Sequence, residues 1–282
     1  MRFTQMPVPF VKMSGTGNDF ILIDHRKPLL AREVMPEFVR LACRRRFSVG
    51  ADGLIFIENS DKAHFRWLFF NGDGSEAEMC GNGARCAARF AYMHGIAPAH
   101  MRFETLAGII EANVSDVDVS VLMTPPSDFR LDVELATPEG AMTVHTVNTG
   151  VPHAVLFTDG IDTVDVRGLG AMIRHHEAFM PAGTNVNFVA QQGDNRFKVR
   201  TYERGVEDET MACGTGAAAA ALIAAARGMA SSPVEIVTSG NDRLQIIFDL
   251  VDGPSADNLY LKGPAYTIYR GELNSEALVE NQ

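Results

Sequence analysis

Two short stretches of this 282-residue sequence combine residue types that can move a proton and hold an anion. Cys80-Gly81-Asn82-Gly83 and Cys213-Gly214-Thr215-Gly216 each place a cysteine directly before Gly-x-Gly and an alanine-rich run. Small residues at a helix start let a ligand approach the free N–H groups of the first turn, and the aligned peptide dipoles favour an anion there. Each turn is therefore a cradle for a carboxylate or a phosphate. The same position is expected to lower a thiol's pKa from its usual ~8.5, because the positive helix end favours thiolate. Cys80 and Cys213 are thus candidate bases or nucleophiles.

Two such thiols facing one another suit a reaction that is itself nearly symmetric. One base removes the α-proton from one face of a stereocentre, and the conjugate acid on the other face returns a proton. The helix ends meanwhile hold the α-carboxylate and stabilise the charge that develops on it. The pair thus points to racemase or epimerase chemistry. Three other readings stay open on the residues alone: a reversible disulfide of a thiol redox protein, a carboxylate-binding protein that needs no thiol, and two buried cysteines at tight helix starts. Against the first, redox pairs usually sit close in sequence, and these two are 213 − 80 = 133 positions apart. Cys43 and Cys86 read as core residues.

The same offset of 133 carries the main organisational signal. Gly72, Glu76, Cys80, Gly81, Gly83, Ala84, Ala87, Ala88, Ala91 and Gly95 correspond to Gly205, Glu209, Cys213, Gly214, Gly216, Ala217, Ala220, Ala221, Ala224 and Gly228, and Gly17 meets Gly150. Such a repeat implies two domains of one fold. Short runs rich in Val, Ile and Phe, separated by Gly, Asn, Asp and Ser, predict strands over 9–13, 20–24, 54–58, 65–70, 101–105, 109–114 and 117–123. A second series covers 143–147, 154–157, 186–190, 197–202, 234–237, 244–250, 259–261 and 266–269. Helical spacing is confined to 32–46, 83–94, 165–175 and 216–227, the last apolar on nearly every face and so expected to be wholly buried. Thr124-Pro125-Pro126-Ser127-Asp128 forms the candidate boundary between the halves.

Composition narrows the function class. The formal charge is 25 − 35 = −10, which argues against a nucleic-acid binder. The longest apolar run, 217–226, is far short of the roughly 20 residues a membrane helix needs. The first fifteen residues contain no apolar stretch of signal-peptide type, and four scattered cysteines make no disulfide scaffold, so a cytoplasmic protein with reduced thiols is expected. No phosphate-binding loop occurs, and Gly15-Thr16-Gly17 lacks the third glycine of a dinucleotide fingerprint. His175-His176-Glu177 reads as a solvated helix end rather than a metal site, because adjacent side chains diverge on a helix.

Lys12 to Phe20 (KMSGTGNDF), Gly50-Ala51-Asp52-Gly53, Asn71-Gly72-Asp73-Gly74-Ser75, Met79 to Cys86 (MCGNGARC), and Tyr202-Glu203-Arg204-Gly205 leading to Ala212 to Gly216 stand together in one order. Through these segments the chain resembles the diaminopimelate epimerase family. The resemblance implies an α/β (α+β) fold of two pseudo-symmetric domains, each a mixed, barrel-like sheet wrapped around a central helix, with the substrate between them. It returns the last strand to the first domain, giving 1–124 plus 265–282 and 125–264. It also implies a homodimer, no cofactor and no metal. By the same resemblance Cys80 and Cys213 are the acid/base pair, and the N–H groups of Gly81, Asn82, Gly214 and Thr215 hold the reacting carboxylate. Asn18, Asn71, Asn185 and Arg204 hold other polar groups of the substrate, Arg204 being suited to the distal carboxylate by its planar fork. Glu203 and His153 assist the thiols or the substrate ammonium, and His153 is expected to titrate near neutral pH and accept a proton from a thiol. Alone, Arg204 reads as a surface charge, and His153 equally as a turn residue after Pro152.

Two positions depart from the family's pattern. Val151 stands where many members have asparagine before Pro-His, and Gly53 where some have glutamine after Gly-Ala-Asp. Asn82 separates the chain from proline racemase-like enzymes, which typically have histidine there, and the cysteine pair separates it from phenazine-biosynthesis relatives. The expected function is interconversion of LL- and meso-diaminopimelate in lysine biosynthesis. A racemase of another amino acid with the same cysteine pair is the alternative.

Overall fold

Alanine-rich segments that follow the two cysteines can be buried on every side only if strands surround them, and that arrangement governs both halves of the chain. The structure is a computed structural model and describes residues 6–138, 140–251 and 255–280. Four α-helices lie among the described residues: α1 (Met35–Ala42), α2 (Gly81–Met93), α3 (Val166–Arg174) and α4 (Gly214–Ala226). The chain divides into two compact units, Met1–Val121 with Gly263–Gln282, and Leu122–Lys262.

In the first unit, hydrogen-bonded neighbours follow the order Tyr266–Leu273, Val8–Gly15, Asn18–Asp24, Gly53–Glu58, Phe65–Asn71, His100–Thr105, Gly108–Ser115 and Asp118–Leu122. The pairings run antiparallel twice, parallel, antiparallel, parallel, then antiparallel twice. In the second unit the order is Ser127–Thr137, Gly140–Asn148, Pro152–Phe157, Asn185–Gly193, Arg196–Glu203, Val234–Val237, Arg243–Val251 and Ser255–Pro264, with the same sequence of directions. A parallel step needs a crossover. In each unit the first crossover contains α1 or α3, and the second contains α2 or α4. The repeat seen in a few glycines and alanines is therefore a repeat of topology.

The crossover helices occupy opposite faces of their sheet. Ala84, Ala87, Ala88 and Ala91 of α2 pack against Met13, Phe20, Ile55, Trp67 and Phe103, while Phe38 and Val39 of α1 pack against Ile21, Leu54, Phe56 and Phe70. Gly53–Glu58 is consequently buried on both faces, which is why it reads as an unbroken apolar run. In the second unit α4 meets Val155, Val189, Phe197, Ile236 and Leu261, and α3 lies over Val186, Phe188 and Tyr202. Ala217 to Ala225 are all buried, as the featureless apolar pattern requires.

Element ends differ from expectation in ways that matter for the site. Both central helices begin two residues early, at Gly81 and Gly214, so that each cysteine is the residue immediately before the first turn. α1 is shorter than 32–46: Pro36 fits the first turn of a helix, a 3₁₀ turn Arg32–Val34 precedes it, and Arg46 takes a left-handed conformation (φ 72°). Two strands, Ser127–Thr137 and Asp208–Thr210, were not anticipated from the sequence.

Candidate active site

Cys213 precedes α4 in extended backbone (φ −124°, ψ 110°), which aims its side chain back over the first turn. Its sulfur accepts the Gly216 N–H at 3.4 Å and lies 3.4 Å from the Thr215 hydroxyl. Gly216 is required there: a Cβ would stand 2.3 Å from Asn187 Oδ1. Burial pushes the thiol up to about 11, the Glu203 charge pushes it the same way, and the Thr215 and Gly216 contacts oppose them without prevailing. The expectation of a lowered thiol pKa is thus overturned at Cys213, because loss of water outweighs two or three helix-start donors. Burial likewise raises the carboxyl of Glu203, with Thr210 pulling it down by less. Cys80 occupies the same place on α2 (φ −148°, ψ 118°) and, like Cys213, is half-buried. Cys43 and Cys86 are core thiols, each raised to about 12 by burial.

His153 pairs with Asn185 across parallel strands and is 1% exposed. Asn187 fixes its tautomer. The Asn187 amide nitrogen donates to Ala154 O and faces His153 Nδ1, both at 3.0 Å, while its oxygen accepts from Thr201 Oγ1. Nδ1 is therefore an acceptor, and the ring proton resides on Nε2. Burial, then the charge of Arg204, pushes the imidazole down to about 3. The reading of His153 as a base titrating near neutral pH is corrected accordingly: its ring is neutral and offers an N–H.

Asn185 and Arg204 are tied together. Asn185 Oδ1 accepts the Arg204 backbone N–H at 2.9 Å, and its Nδ2 donates to Pro152 O at 3.0 Å. The Arg204 guanidinium donates to Ala182 O. Thr149 Oγ1 holds Thr215 O at 2.9 Å, anchoring the start of α4 to the turn before His153. His153, Asn185, Glu203, Arg204, Cys213, Gly214 and Thr215 are thus linked within the second unit.

In the first unit Asn82 Nδ2 donates to Asn18 Oδ1 at 2.7 Å, and Asn82 Oδ1 accepts from Thr16 Oγ1 and from the fully buried Arg85. Asn18 in turn donates to Asp52, which shares Arg45 with Asp19, and Asp19 pairs with the buried Lys12 at 2.8 Å. Burial raises the Asp19 carboxyl, but hydrogen bonds from Arg45 and Lys12 overcome it and bring the group down to about 2. Asn71 lies apart from this chain of contacts, its amide donating to Ser75 Oγ within its own loop. His176 is held by Ala136 O and the Ala178 N–H, so it closes a turn. No group of His, Cys, Asp and Glu side chains suited to a metal occurs among the described residues.

Sequence reasoning missed Asn187, Thr201, Asp52, Arg45 and Arg85. The repeat contained a signal for one of them, since 52 + 133 = 185 pairs Asp52 with Asn185. Arg85 carries no such signal, because its counterpart is Ala218.

Two units of mixed sheet, each built on a buried central helix, define a two-domain fold that recurs in solved structures. A phenazine biosynthesis protein of the PhzF family from Bacillus anthracis matches with a TM-score of 0.72 at 14% identity, covering 95% of this chain and 99% of its own. A hydroxyproline epimerase from Agrobacterium vitis matches with a TM-score of 0.67 at 15% identity, covering 97% of this chain and 94% of its own. At such identities the likeness shows the fold alone. Sequence similarity is more specific: the diaminopimelate epimerase family profile matches residues 10–128 and 145–268. The diaminopimelate epimerase of Hydrogenobaculum sp. (strain Y04AAS1) is 48% identical over 277 residues, 94% of this chain and 98% of that protein. That of Aquifex aeolicus is 46% identical over 281 residues, 95% of this chain and 99% of that protein. The chain belongs to the diaminopimelate epimerase family.

Proposed function

We propose that the protein is a cofactor-independent epimerase that interconverts LL- and meso-diaminopimelate in lysine biosynthesis, with the two units as its two epimerase domains. The observation that carries this reading is the repeated placement of a cysteine before Gly-x-Gly on a buried helix, in a chain of this family. The thiolate of one cysteine takes the α-proton, and the electron pair left on the α-carbon is delocalised into the α-carboxylate. The N–H groups of Gly81, Asn82, Gly214 and Thr215 hold that carboxylate and are already oriented before charge develops. The opposite thiol then delivers its proton to the other face. The cysteines end with their roles exchanged, and no external oxidant or reductant is consumed.

Cys80 is the proton donor and Cys213 the acceptor in one direction. Glu203 assists Cys213 or holds the substrate ammonium. His153 serves as an Nε2–H donor to the substrate or to a thiolate. Arg204 binds the distal carboxylate, with Asn185 fixing the Arg204 backbone, while Asn18 and Asn71 contact the remaining polar groups. The working protein is a cytoplasmic homodimer. Replacing Cys80 or Cys213 by Ala is expected to lower epimerisation by at least about 10³-fold, in line with the usual value of positioned acid–base catalysis. Circular dichroism of both variants should remain native. Near-normal turnover by either variant contradicts the two-thiol mechanism.

A further inference from the structure

On the core side of Cys213, between the start of α4 and the strands Arg196–Glu203, Asp208–Thr210 and Val234–Val237, lies a cavity of about 10 Å³. Its polar wall is Thr201, Thr210, Cys213, Thr238 and Ser239, and the buried Ala217 and Ile236 close it on the apolar side. One of these hydroxyls, Thr238 Oγ1, is out of contact with solvent and has no hydrogen-bond partner, while Thr210 Oγ1, equally removed from solvent, faces the Glu203 carboxyl. Thr238 is 3% exposed. A buried hydroxyl without a partner is costly, and one opening on a small polar-walled cavity is rarely left unmatched. The volume is that of a single water, which needs two to four polar partners. Beyond the two threonines, Thr201 Oγ1 and Ser239 Oγ can accept, since their own protons already go to Asn187 and Glu209.

We propose that one water occupies this cavity, held by Thr210 and Thr238, and donates a hydrogen bond to the Cys213 sulfur from the core side, making the two threonines positioning residues for proton transfer at that thiol. The inference rests on Cys213 being an acid/base of the reaction. The water adds a donor to the Gly216 N–H and the Thr215 hydroxyl, which meet the sulfur at the helix start. When the thiol gives its proton to the α-carbon, the water's hydrogen bond stabilises the sulfur anion left behind. When the sulfur regains a proton, the water returns to its bonds with the threonines. Among charged groups on the surrounding elements, Glu203 raises the thiol's pKa, Glu209 is held by Arg200 and Ser239, and Glu235 lies against Arg196. The first turn of α4 carries no acidic side chain.

The test uses the reduced full-length protein and two readouts independent of diaminopimelate turnover. A high-resolution crystal structure is expected to show one water within hydrogen-bond reach of both threonine hydroxyls. Iodoacetamide alkylation, followed on the Cys213 peptide by mass spectrometry as a function of pH, gives the thiol's titration. Thr238→Val keeps the shape and removes a partner. It should shift the Cys213 midpoint upward by about one unit, a tenfold loss of thiolate at a given lower pH. The Cys80 midpoint should stay in place, and Thr238→Ser should restore that of Cys213. A dry cavity in the wild-type protein, or an unchanged Cys213 midpoint in folded Thr238→Val, overturns the proposal. Should that variant fail to fold, the wild-type structure decides the matter. Failure of the epimerase reading would appear in turnover alone and leave both readouts intact.

Discussion

His153 shows how a side chain's role changes between sequence and structure. Its residue type suggests a neutral-pH base, yet Asn187 occupies Nδ1 and the surrounding strands exclude water, leaving a neutral ring with its proton on Nε2. The folded pKa of about 3 lies below the ordinary unfolded value of about 6.5. Below pH 6.5 the unfolded chain therefore binds the proton more readily. The stabilisation from a neutral His153 is complete above about 6.5 and is lost progressively as pH falls toward 3. Nitrogen-15 NMR of the imidazole at pH 6 is expected to show the neutral Nε2–H tautomer, and an imidazolium at that pH contradicts the assignment. Asn187 could not be singled out beforehand, because nothing in its sequence neighbourhood shows that it meets His153, 34 positions away. Cys80 with Asn82 and its glycines, and Cys213 with its own glycines, were legible because each set lies within a single helical turn.

At the scale of elements, the close approach of α4 to its strands depends on Gly216. A methyl there meets Asn187 Oδ1, which cannot swing aside without losing Thr201 and disturbing His153. Gly216→Ala is expected to destabilise the protein by about 1–3 kcal/mol in urea unfolding, the usual cost of overpacking a core. An unchanged midpoint would show that the contact relaxes freely. All four helices were legible from apolar spacing, and the paired Gly-x-Gly motifs located the functional ends of two. Ser127–Thr137 was not, although Leu131, Val133 and Leu135 alternate with charged residues. Asp128 and Asp132 adopt positive φ and shift the register with Gly140–Asn148, interrupting the alternation where prolines 125 and 126 already suggest a break. Asp208–Thr210 is three residues long, too short for any pattern to register.

For the whole molecule, the repeat at 133 was the most informative feature of the sequence, because it implied that each half must complete its own sheet around its own helix. The identical order of strand directions in the two units gives that repeat a structural form. If catalysis brings the two cysteines to opposite faces of one carbon, mild oxidation should join them. Peptide mapping after a brief oxidant pulse is expected to find a Cys80–Cys213 disulfide in an inactive protein that dithiothreitol restores. Pairing through Cys43 or Cys86, or full activity after oxidation, would refute that convergence. Inversion at the α-carbon without any added cofactor is read out in one experiment, proton NMR of LL-diaminopimelate in deuterium oxide with the reduced protein. The α-proton signal is expected to be lost to deuterium while the meso isomer appears, and unchanged substrate in the presence of folded, reduced protein would rule the epimerase reading out.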